Sequence, residues 1–302
     1  MRKGLLFLLL LACPLGAQNP SADRQAEITE RVVAELAPLR EAPAGELMTR
    51  AALALRETPY VGGTLDAPAP DGTWREELRV YLDKTDCILF VETCMNLALA
   101  VRRQGAAADY PLLQELVLQS RYRDGKAEKY SDRIHYTTEW IEKGVSRGLL
   151  EDLTLPLGGR KYDHPLHFMT NHYMDYPHLA DAHDPKALED LKVIAAVEER
   201  LNAAGYTYLP KEKIAGASGK FRSGDILCFV TSTSGLDISH VALVLVHDGK
   251  GNPVAPGTPG AVVGFIHASP GAGKVAVDPK TIVQYVLSRN KISGIKIVRP
   301  VF

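Results

Sequence analysis

A single cysteine opens an apolar run at helical spacing. Cys87 follows Asp86 and precedes apolar residues that recur through Leu89, Phe90 and Leu97. A thiol in the first turn of a helix lies near the positive end of the helix dipole and near backbone N–H groups that have no intrahelical acceptor. Such surroundings lower a cysteine pKa to about 3.5–7.5. We therefore predict that Cys87 is a thiolate nucleophile.

Two histidines lie far downstream in apolar runs typical of strands. His240 lies within residues 238–245 and His267 within residues 264–269. A cysteine at a helix start with histidines on later strands is the order of a papain-like cysteine hydrolase. We predict that His240 is the general base and that His267 orients it. Asp237 and Asp248 remain alternatives for the orienting position.

The bulk composition excludes several classes of protein. The 302 residues include 35 Lys and Arg against 36 Asp and Glu, which gives a formal net charge of −1. A balanced charge argues against nucleic acid as a partner. The chain has no CxxC or HExxH spacing, so we predict neither a metal nor another cofactor. Cys94 and Cys228 are predicted to be buried small hydrophobes.

The N-terminus has the pattern of a targeting segment. Arg2 and Lys3 precede a short apolar core, which predicts a signal peptide over residues 1–17. Residues 10–13 (LLAC) resemble a bacterial lipobox, which would lipidate Cys13, whereas residues 15–17 could be an ordinary cleavage site. The protein is therefore expected to be exported and to be either periplasmic or lipid-anchored. A membrane attachment is expected only through a lipid on Cys13. The sequence does not predict an oligomeric state.

Periodicity predicts helices first and antiparallel strands later, which indicates an α+β fold with one sheet. A leader and helix at residues 18–43 precede a single domain at 44–302, with a helical or loop insertion at about 104–213. The predicted helices are 21–36, 44–56, 87–103, 112–119, 138–147 and 188–204. The predicted strands are 78–82, 225–230, 240–247, 262–268, 274–277 and 292–298, with a hairpin signal at 248–252.

Four blocks of the sequence resemble the NlpC-type papain-like cell-wall peptidases. They are residues 86–87 (DC), 223–229 (SGDILCF), 239–244 (SHVALV) and 265–268 (FIHA). The resemblance implies a papain-like fold with the sheet packed on the cysteine helix. It also implies roles for Cys87, His240 and His267 as nucleophile, base and orienting residue, and places Tyr60 of residues 59–63 (PYVGG) beside the thiol.

One position departs from that pattern. The peptidases usually carry a serine after the cysteine and use it, together with the preceding aspartate, to grip a free N-terminal L-alanine. Here Ile88 follows Cys87, so Asp86 and Ile88 form a different binding wall. An apolar side chain cannot hydrogen-bond an ammonium group, and burying that group unpaired is costly. The usual specificity for a free peptide end is therefore not expected.

A narrower resemblance accounts for the departure. Residues 85–93 (TDCILFVET), 131–140 (SDRIHYTTEW) and 235–240 (GLDISH) are similar to the N-acetylmuramoyl-L-alanine amidase-like branch of the superfamily, from about residue 44 onward. The resemblance implies hydrolysis of the lactyl–L-alanine amide in peptidoglycan-derived disaccharide peptides. It further implies a preference for 1,6-anhydro-muropeptides and no need for a cofactor.

The same blocks supply candidate substrate-binding residues. His135, Tyr136 and Trp140 could form an aromatic platform for a sugar or could pack into the core. Arg133 could bind a carboxylate or lie solvated on the surface. The remaining candidates are Asp86, Ile88, Asp237 and Ser239. The histidines between residues 164 and 183 match no standard metal spacing, and we expect them to pack and hydrogen-bond.

Three other functions remain open. The first is a γ-D-glutamyl–diaminopimelate endopeptidase, which Ile88 disfavours. The second is a lipid-directed acyltransferase or hydrolase, which the unpermuted order of cysteine before histidine disfavours. The third is an inactive muropeptide-binding protein, which the presence of Cys87, His240 and His267 disfavours.

Overall fold

The computed structural model describes residues 21–69, 71–181 and 183–302. Its α-helices are numbered α1 to α9 in chain order. They are α1 Ala22–Leu36, α2 Ala44–Ala54, α3 Cys87–Gln104, α4 Tyr110–Arg121, α5 Thr137–Ser146, α6 Phe168–Asn171, α7 Pro185–Ala204, α8 Lys211–Ala217 and α9 Ile282–Leu287.

Helix α3 is the central helix. Thirteen of its eighteen residues are buried, because α1, α2 and α4 pack on one side and the sheet on the other. The Asp86 side chain accepts a hydrogen bond from the Leu89 N–H at 3.0 Å and thereby fixes where the helix begins. The predicted helix at 87–103 is confirmed.

The strands form one antiparallel sheet. They are β1 Leu150–Asp152, β2 Arg160–Tyr162, β3 Tyr206–Pro210, β4 Ile226–Thr231, β5 Ile238–His247, β6 Val262–Ser269, β7 Lys274–Val277 and β8 Ile292–Pro300. The strand order is β2-β3-β8-β4-β5-β6-β7, and β1 also pairs with β8.

The two faces of the sheet cover two separate cores. On β4, Ile226 and Cys228 face the cluster of α1 to α5, whereas Leu227 and Phe229 face a smaller cluster with α8 and α9. This alternation follows from the two-residue period of a strand. The arrangement of a sheet packed on the cysteine helix confirms the predicted α+β, papain-like fold.

Some predicted elements differ from the structure. Residues 78–82 are extended but belong to no strand, because the Leu82 N–H bonds to the Gln25 side-chain oxygen of α1 at 2.6 Å instead of to a neighbouring strand. The segment 104–213 contains β1, β2 and β3, which the sequence did not predict, in addition to its helices. The predicted turn at 248–252 is confirmed by the hydrogen bond from Asp248 N–H to Asn252 O at 3.0 Å.

Within the described residues, no helix is both long and apolar enough to span a bilayer. The predicted signal peptide and the lipobox cysteine Cys13 lie outside the described residues. The three described cysteines, Cys87, Cys94 and Cys228, are free thiols.

Candidate active site

Cys87 is the first residue of α3 and is half-buried. Two neighbouring segments fix its position. The backbone N–H of Val241, on β5, donates to the Cys87 sulfur. Tyr60 forms a parallel bridge with Thr85, two residues before the cysteine, and the Val61 N–H donates to Thr85 O at 2.8 Å. The helix start, β5 and the segment around Tyr60 therefore meet at the thiol.

A chain of three side chains leads away from Cys87 through adjacent strands. His240 Nε2 lies 2.6 Å from His267 Nδ1. His267 Nε2 in turn lies 3.4 Å from an oxygen of Asp278. His267 is almost fully buried, so each ring nitrogen needs a partner.

This chain determines the tautomers. The negative charge of Asp278 faces His267 Nε2 and favours a proton on that nitrogen, so His267 Nδ1 accepts from His240 Nε2–H. His240 Nδ1 is then the acceptor nitrogen of that ring, and His240 lines the same cavity as Cys87. The arrangement is that of a nucleophile, a base and an orienting residue, extended by one carboxylate.

The thiol and the base share one cavity of about 200 Å³, which we call the main cavity. Its wall is built from the start of α3, the segment before α5 and the start of β5. The predicted site residues that line it are Cys87, Ile88, Arg133, His135, Tyr136, Trp140, Ser239 and His240.

The protonation states differ from the sequence prediction. Burial, with a further contribution from the negative charge of Asp86, raises the pKa of Cys87 to about 12. Burial, together with His267, lowers the pKa of His240 to about 3. The prediction of a low thiol pKa was wrong, because it considered the helix dipole and omitted desolvation. At neutral pH the pair is a neutral thiol beside a neutral imidazole.

Tyr60 bridges Thr85 next to the start of α3 but does not line the main cavity. Burial raises its pKa to about 12, and the nearby Cys87 and Asp86 add to the rise. The phenol therefore stays protonated at neutral pH and can donate a hydrogen bond.

His135 and Ser239 are accessible from the main cavity. His135 Nε2 lies 2.9 Å from Tyr130 O, so it donates there and leaves Nδ1 as an acceptor. Burial, with Arg133 beside it, lowers the pKa of His135 to about 3, which keeps the ring neutral. Ser239 is exposed at the cavity mouth.

Arg133 is not a solvated surface arginine. Its side chain is 5% exposed and pairs with Asp66 at 2.5 Å, and Glu76 lies 3.6 Å away. Its guanidinium also lies 4.8 Å from the centre of the Tyr130 ring. These contacts hold the charge rigidly in the wall of the main cavity.

Three predicted binding residues have structural roles instead. Tyr136 and Trp140 are 2% and 5% exposed, so neither presents an open ring face to a sugar. The Tyr136 hydroxyl donates to Glu198 at 2.6 Å. Asp237 is buried and accepts the N–H groups of Thr138 and Ile238, both at 2.7 Å, which joins α5 to β5.

Two other aspartates have structural roles as well. Asp86 caps α3 through its side chain and is not among the residues that line the main cavity. Asp248 holds the turn after β5, where its Oδ1 accepts the N–H groups of Lys250 and Asn252. The hydrogen bonds of Asp237 and Asp248 go to other groups, and His240 Nε2 contacts His267, so the structure favours neither aspartate as the residue that orients His240.

Sequence reasoning missed Asp278 and the pair Glu92–Arg121. Asp278 follows β7, which pairs with β6 so that His267 lies opposite Ala276. The glycines at 271 and 273 between these strands were a usable hairpin signal. Arg121 binds Glu92 through Nε and Nη2, and both side chains are buried in the wall of the main cavity.

The mid-chain histidines contact protein groups. His164 Nε2 lies 2.8 Å from Thr233 O, and His172 Nδ1 lies 3.2 Å from Asp175. His178 stacks on Tyr130 with ring centres 4.5 Å apart. In the part of the chain that the structure describes, no three His, Cys, Asp or Glu side chains converge as a metal site.

Comparison with known proteins identifies the family. The profile of the N-acetylmuramoyl-L-alanine amidase-like family matches residues 50–295. The chain belongs to this family. The match includes the thiol, both histidines and Asp278, so it confirms the predicted resemblance. A comparison with curated proteins found no match.

Solved structures of similar proteins agree with the family assignment. An N-acetylmuramoyl-L-alanine amidase from Bacteroides uniformis is 27% identical over 85% of this chain and 98% of its own, with a TM-score of 0.70. A proposed xylanase from Bacteroides fragilis is 30% identical over 82% of this chain and 98% of its own, with a TM-score of 0.68. A protein from Legionella pneumophila is 19% identical over 94% and 97%, with a TM-score of 0.64, and supports the fold alone.

Proposed function

We propose that the protein hydrolyses the lactyl–L-alanine amide of peptidoglycan fragments with Cys87 as nucleophile. The observation that carries the proposal is the chain from Cys87 and His240 through His267 to Asp278, within the segment that matches the amidase-like family. A buried base in a fixed tautomer beside a helix-start thiol suits attack on an amide carbonyl.

In the proposed reaction, His240 Nδ1 takes the thiol proton as the sulfur attacks the lactyl carbonyl carbon. The Cys87 N–H belongs to the first turn of α3, has no intrahelical acceptor and stabilises the oxyanion. The C–N bond then breaks as the proton on His240 passes to the nitrogen of L-alanine, which leaves a thioester. Water, deprotonated by His240, attacks the thioester and releases the lactyl carboxylate and the thiol.

The wall of the main cavity supports an acylated substrate. Ile88 offers no partner for the ammonium group of a free stem peptide, whereas the L-alanine nitrogen of a muropeptide is a neutral amide. The preference for 1,6-anhydro-muropeptides rests on the family resemblance.

Glycoside hydrolysis requires two carboxyl groups across the bond. Among the described residues lining the main cavity the sole carboxylate is Glu92, which Arg121 binds.

Product analysis tests the proposal. Purified protein is incubated with GlcNAc-1,6-anhydro-MurNAc-tetrapeptide, and the products are identified by mass spectrometry. The expected products are the intact anhydro-disaccharide and a peptide that begins with L-alanine. Free stem peptide should remain uncut. Release of L-Ala-D-Glu, or of sugar still bearing it, would instead assign the γ-D-glutamyl endopeptidase activity.

Substitution tests the role of the thiol. Cys87→Ala should lower turnover on the order of 10³-fold or more, the usual scale for loss of a nucleophile. Cys94→Ala is the matched control, because Cys94 is buried on the same helix away from the cavity. Full activity of Cys87→Ala would exclude cysteine catalysis, and binding without turnover by the unaltered protein would indicate the inactive muropeptide-binding function.

Export is a further part of the proposal and rests on residues 1–17. Either Cys13 is lipidated or the chain is cleaved after Ala17. Mass spectrometry of the mature protein from the cell envelope distinguishes the two, since they leave different N-terminal residues and only the first adds acyl chains. An uncleaved N-terminus on cytoplasmic protein would refute export.

A further inference from the structure

A second cavity lies on the other side of His240. Its volume is about 520 Å³, and we call it the second cavity. Ser239 and His240 line both cavities. Cys87 lines the main cavity but not the second, and His267 lines the second cavity but not the main one. The rest of the second cavity comes from the end of β6 and from the segment joining α9 to β8. The general base therefore stands between two binding spaces.

The two cavities differ in charge. In the main cavity, Glu92 lies 2.5 Å from Arg121, and Asp66 lies 2.5 Å from Arg133, so both cations are neutralised. Among the described residues that line the second cavity, Arg289 carries a positive charge and none is Asp or Glu. The second cavity is therefore the one that favours an anion.

Arg289 is held in a defined place. Its guanidinium lies 4.1 Å from the centre of the Tyr285 ring, which is a cation–π contact. Its positive charge also lowers the pKa of both His240 and His267, after the larger effect of burial, so it lies close to the catalytic pair. The side chain is otherwise exposed.

The chemistry of the proposed reaction orients the substrate across these cavities, and this step rests on the proposed function. The carbonyl attacked by Cys87 lies in the main cavity with the sugar. The leaving nitrogen must lie at His240, because that residue protonates it, so the peptide extends into the second cavity. The next residue of a stem peptide is D-glutamate joined through its γ-carboxyl, which leaves its α-carboxylate free. That carboxylate is roughly 6 Å from the leaving nitrogen.

We propose that Arg289 binds the α-carboxylate of the D-γ-glutamyl residue and that the enzyme thereby selects acidic over amidated stem peptides. A guanidinium matches a carboxylate through two parallel N–H···O bonds. A carboxamide in the same place has one acceptor and no charge. The discrimination expected from a charged hydrogen bond of about 1.5–3 kcal/mol is about 10- to 100-fold.

The test compares two substrates that differ at one group. They are GlcNAc-1,6-anhydro-MurNAc-L-Ala-γ-D-Glu and the corresponding D-isoglutamine compound. The unaltered enzyme should cleave the acid with a kcat/KM about 10- to 100-fold higher than the amide. Arg289→Gln should lower kcat/KM for the acid far more than for the amide, so the ratio approaches one. Arg50→Gln, on the exposed side of α2, is the matched control and should keep the ratio of the unaltered enzyme.

A binding measurement separates recognition from turnover. Calorimetry with Cys87→Ala and the product L-Ala-γ-D-Glu should show a Kd that rises about tenfold or more when Arg289→Gln is added. The amidated product should show no such rise. Equal kcat/KM values for acid and amide in the unaltered enzyme, or an equal loss on both substrates in Arg289→Gln, would overturn the proposal while leaving the amidase function intact. Failure to release L-alanine-terminated peptide from either substrate would remove the amidase function itself.

Discussion

Asp278 should act on catalysis through His267, and its removal can be given a magnitude. In the proposed reaction, His240 takes the thiol proton and becomes positively charged. One imidazole ring and contacts of 2.6 and 3.4 Å separate that charge from the Asp278 carboxylate. At a separation of roughly 8 Å and an effective dielectric constant of about 20–40, the attraction is worth about 1–2 kcal/mol. Asp278→Asn should therefore lower kcat by about 5- to 30-fold.

Comparing two substitutions at Asp278 separates the effect of its charge from its effect on the tautomer of His267. Asn keeps an oxygen that can face His267 Nε2, so Asp278→Asn removes chiefly the charge. Asp278→Ala removes the acceptor as well, so His267 is free to take the other tautomer and can no longer accept from His240. We expect a larger loss of kcat in Asp278→Ala than in Asp278→Asn. KM should change little in both variants, since Asp278 lines neither the main cavity nor the second cavity.

A double-mutant cycle is the decisive assay. Steady-state kinetics are measured for Asp278→Asn, His267→Ala and the double variant, with Asp248→Asn as the control aspartate in an exposed turn. If Asp278 acts through His267, its substitution should have almost no effect once His267 is gone. Equal losses in both backgrounds would refute an action of Asp278 through His267 on His240, as would a loss of equal size in Asp248→Asn.

Three further outcomes follow from burial. The alkylation rate of Cys87 by iodoacetamide should rise about tenfold per pH unit from pH 7 to 9, because its pKa is raised to about 12; a plateau below pH 8 would contradict this. Glu92→Gln should lower the free energy of unfolding in urea by about 3–5 kcal/mol, since it leaves Arg121 buried without its counter-ion; a change below 1 kcal/mol would contradict it. The pKa of His240 falls from 6.5 to about 3 on folding, so its contribution to stability is present above pH 6.5 and lost as the pH falls toward 3. In urea denaturation, the free energy of unfolding of His240→Gln should fall less between pH 6.5 and 3. An unchanged fall would refute the lowered pKa of His240.

Local signals in the sequence predicted the elements that carry the thiol and the base. The cap at Asp86 and the apolar spacing after it are local properties, so α3 was placed within one residue of its observed end. The apolar runs of β4, β5, β6 and β8 are buried on both faces, which makes them continuous and easy to detect. His240 and His267 could each be placed on a strand for the same reason.

Features that depend on tertiary pairing could not be predicted. Strands β1 and β2 have three residues each and exist because β8 and β3 are present to pair with them. Residues 78–82 alternate like a strand but pair with none, because the Leu82 N–H bonds to the Gln25 side chain, which is more than 50 residues away. The protonation of Cys87 likewise depends on burial, which the order of residues along a helix does not reveal.

Asp86 gives a final test, because its side chain caps α3 and its negative charge also disfavours the Cys87 thiolate. Capping needs an acceptor for the Leu89 N–H, which Asn supplies as well as Asp, so Asp86→Asn should leave stability nearly unchanged. The charge has a separate effect, since Asp86 contributes to the raised pKa of Cys87. At roughly 6 Å and a dielectric constant of about 40 that charge is worth about 1.4 kcal/mol, which is about one pKa unit.

Asp86→Asn should therefore alkylate at Cys87 about tenfold faster at pH 8. Catalysis should gain much less, because His240 removes the thiol proton during attack and a thiolate formed in advance is not required. An unchanged alkylation rate in the folded variant would show that the charge does not hold the thiol protonated. A rise in kcat/KM as large as the rise in alkylation would show instead that the free thiolate is the reactive form. The helix start would then contribute chiefly by lowering the thiol pKa, whereas the proposed mechanism assigns it the stabilisation of the oxyanion through the Cys87 N–H.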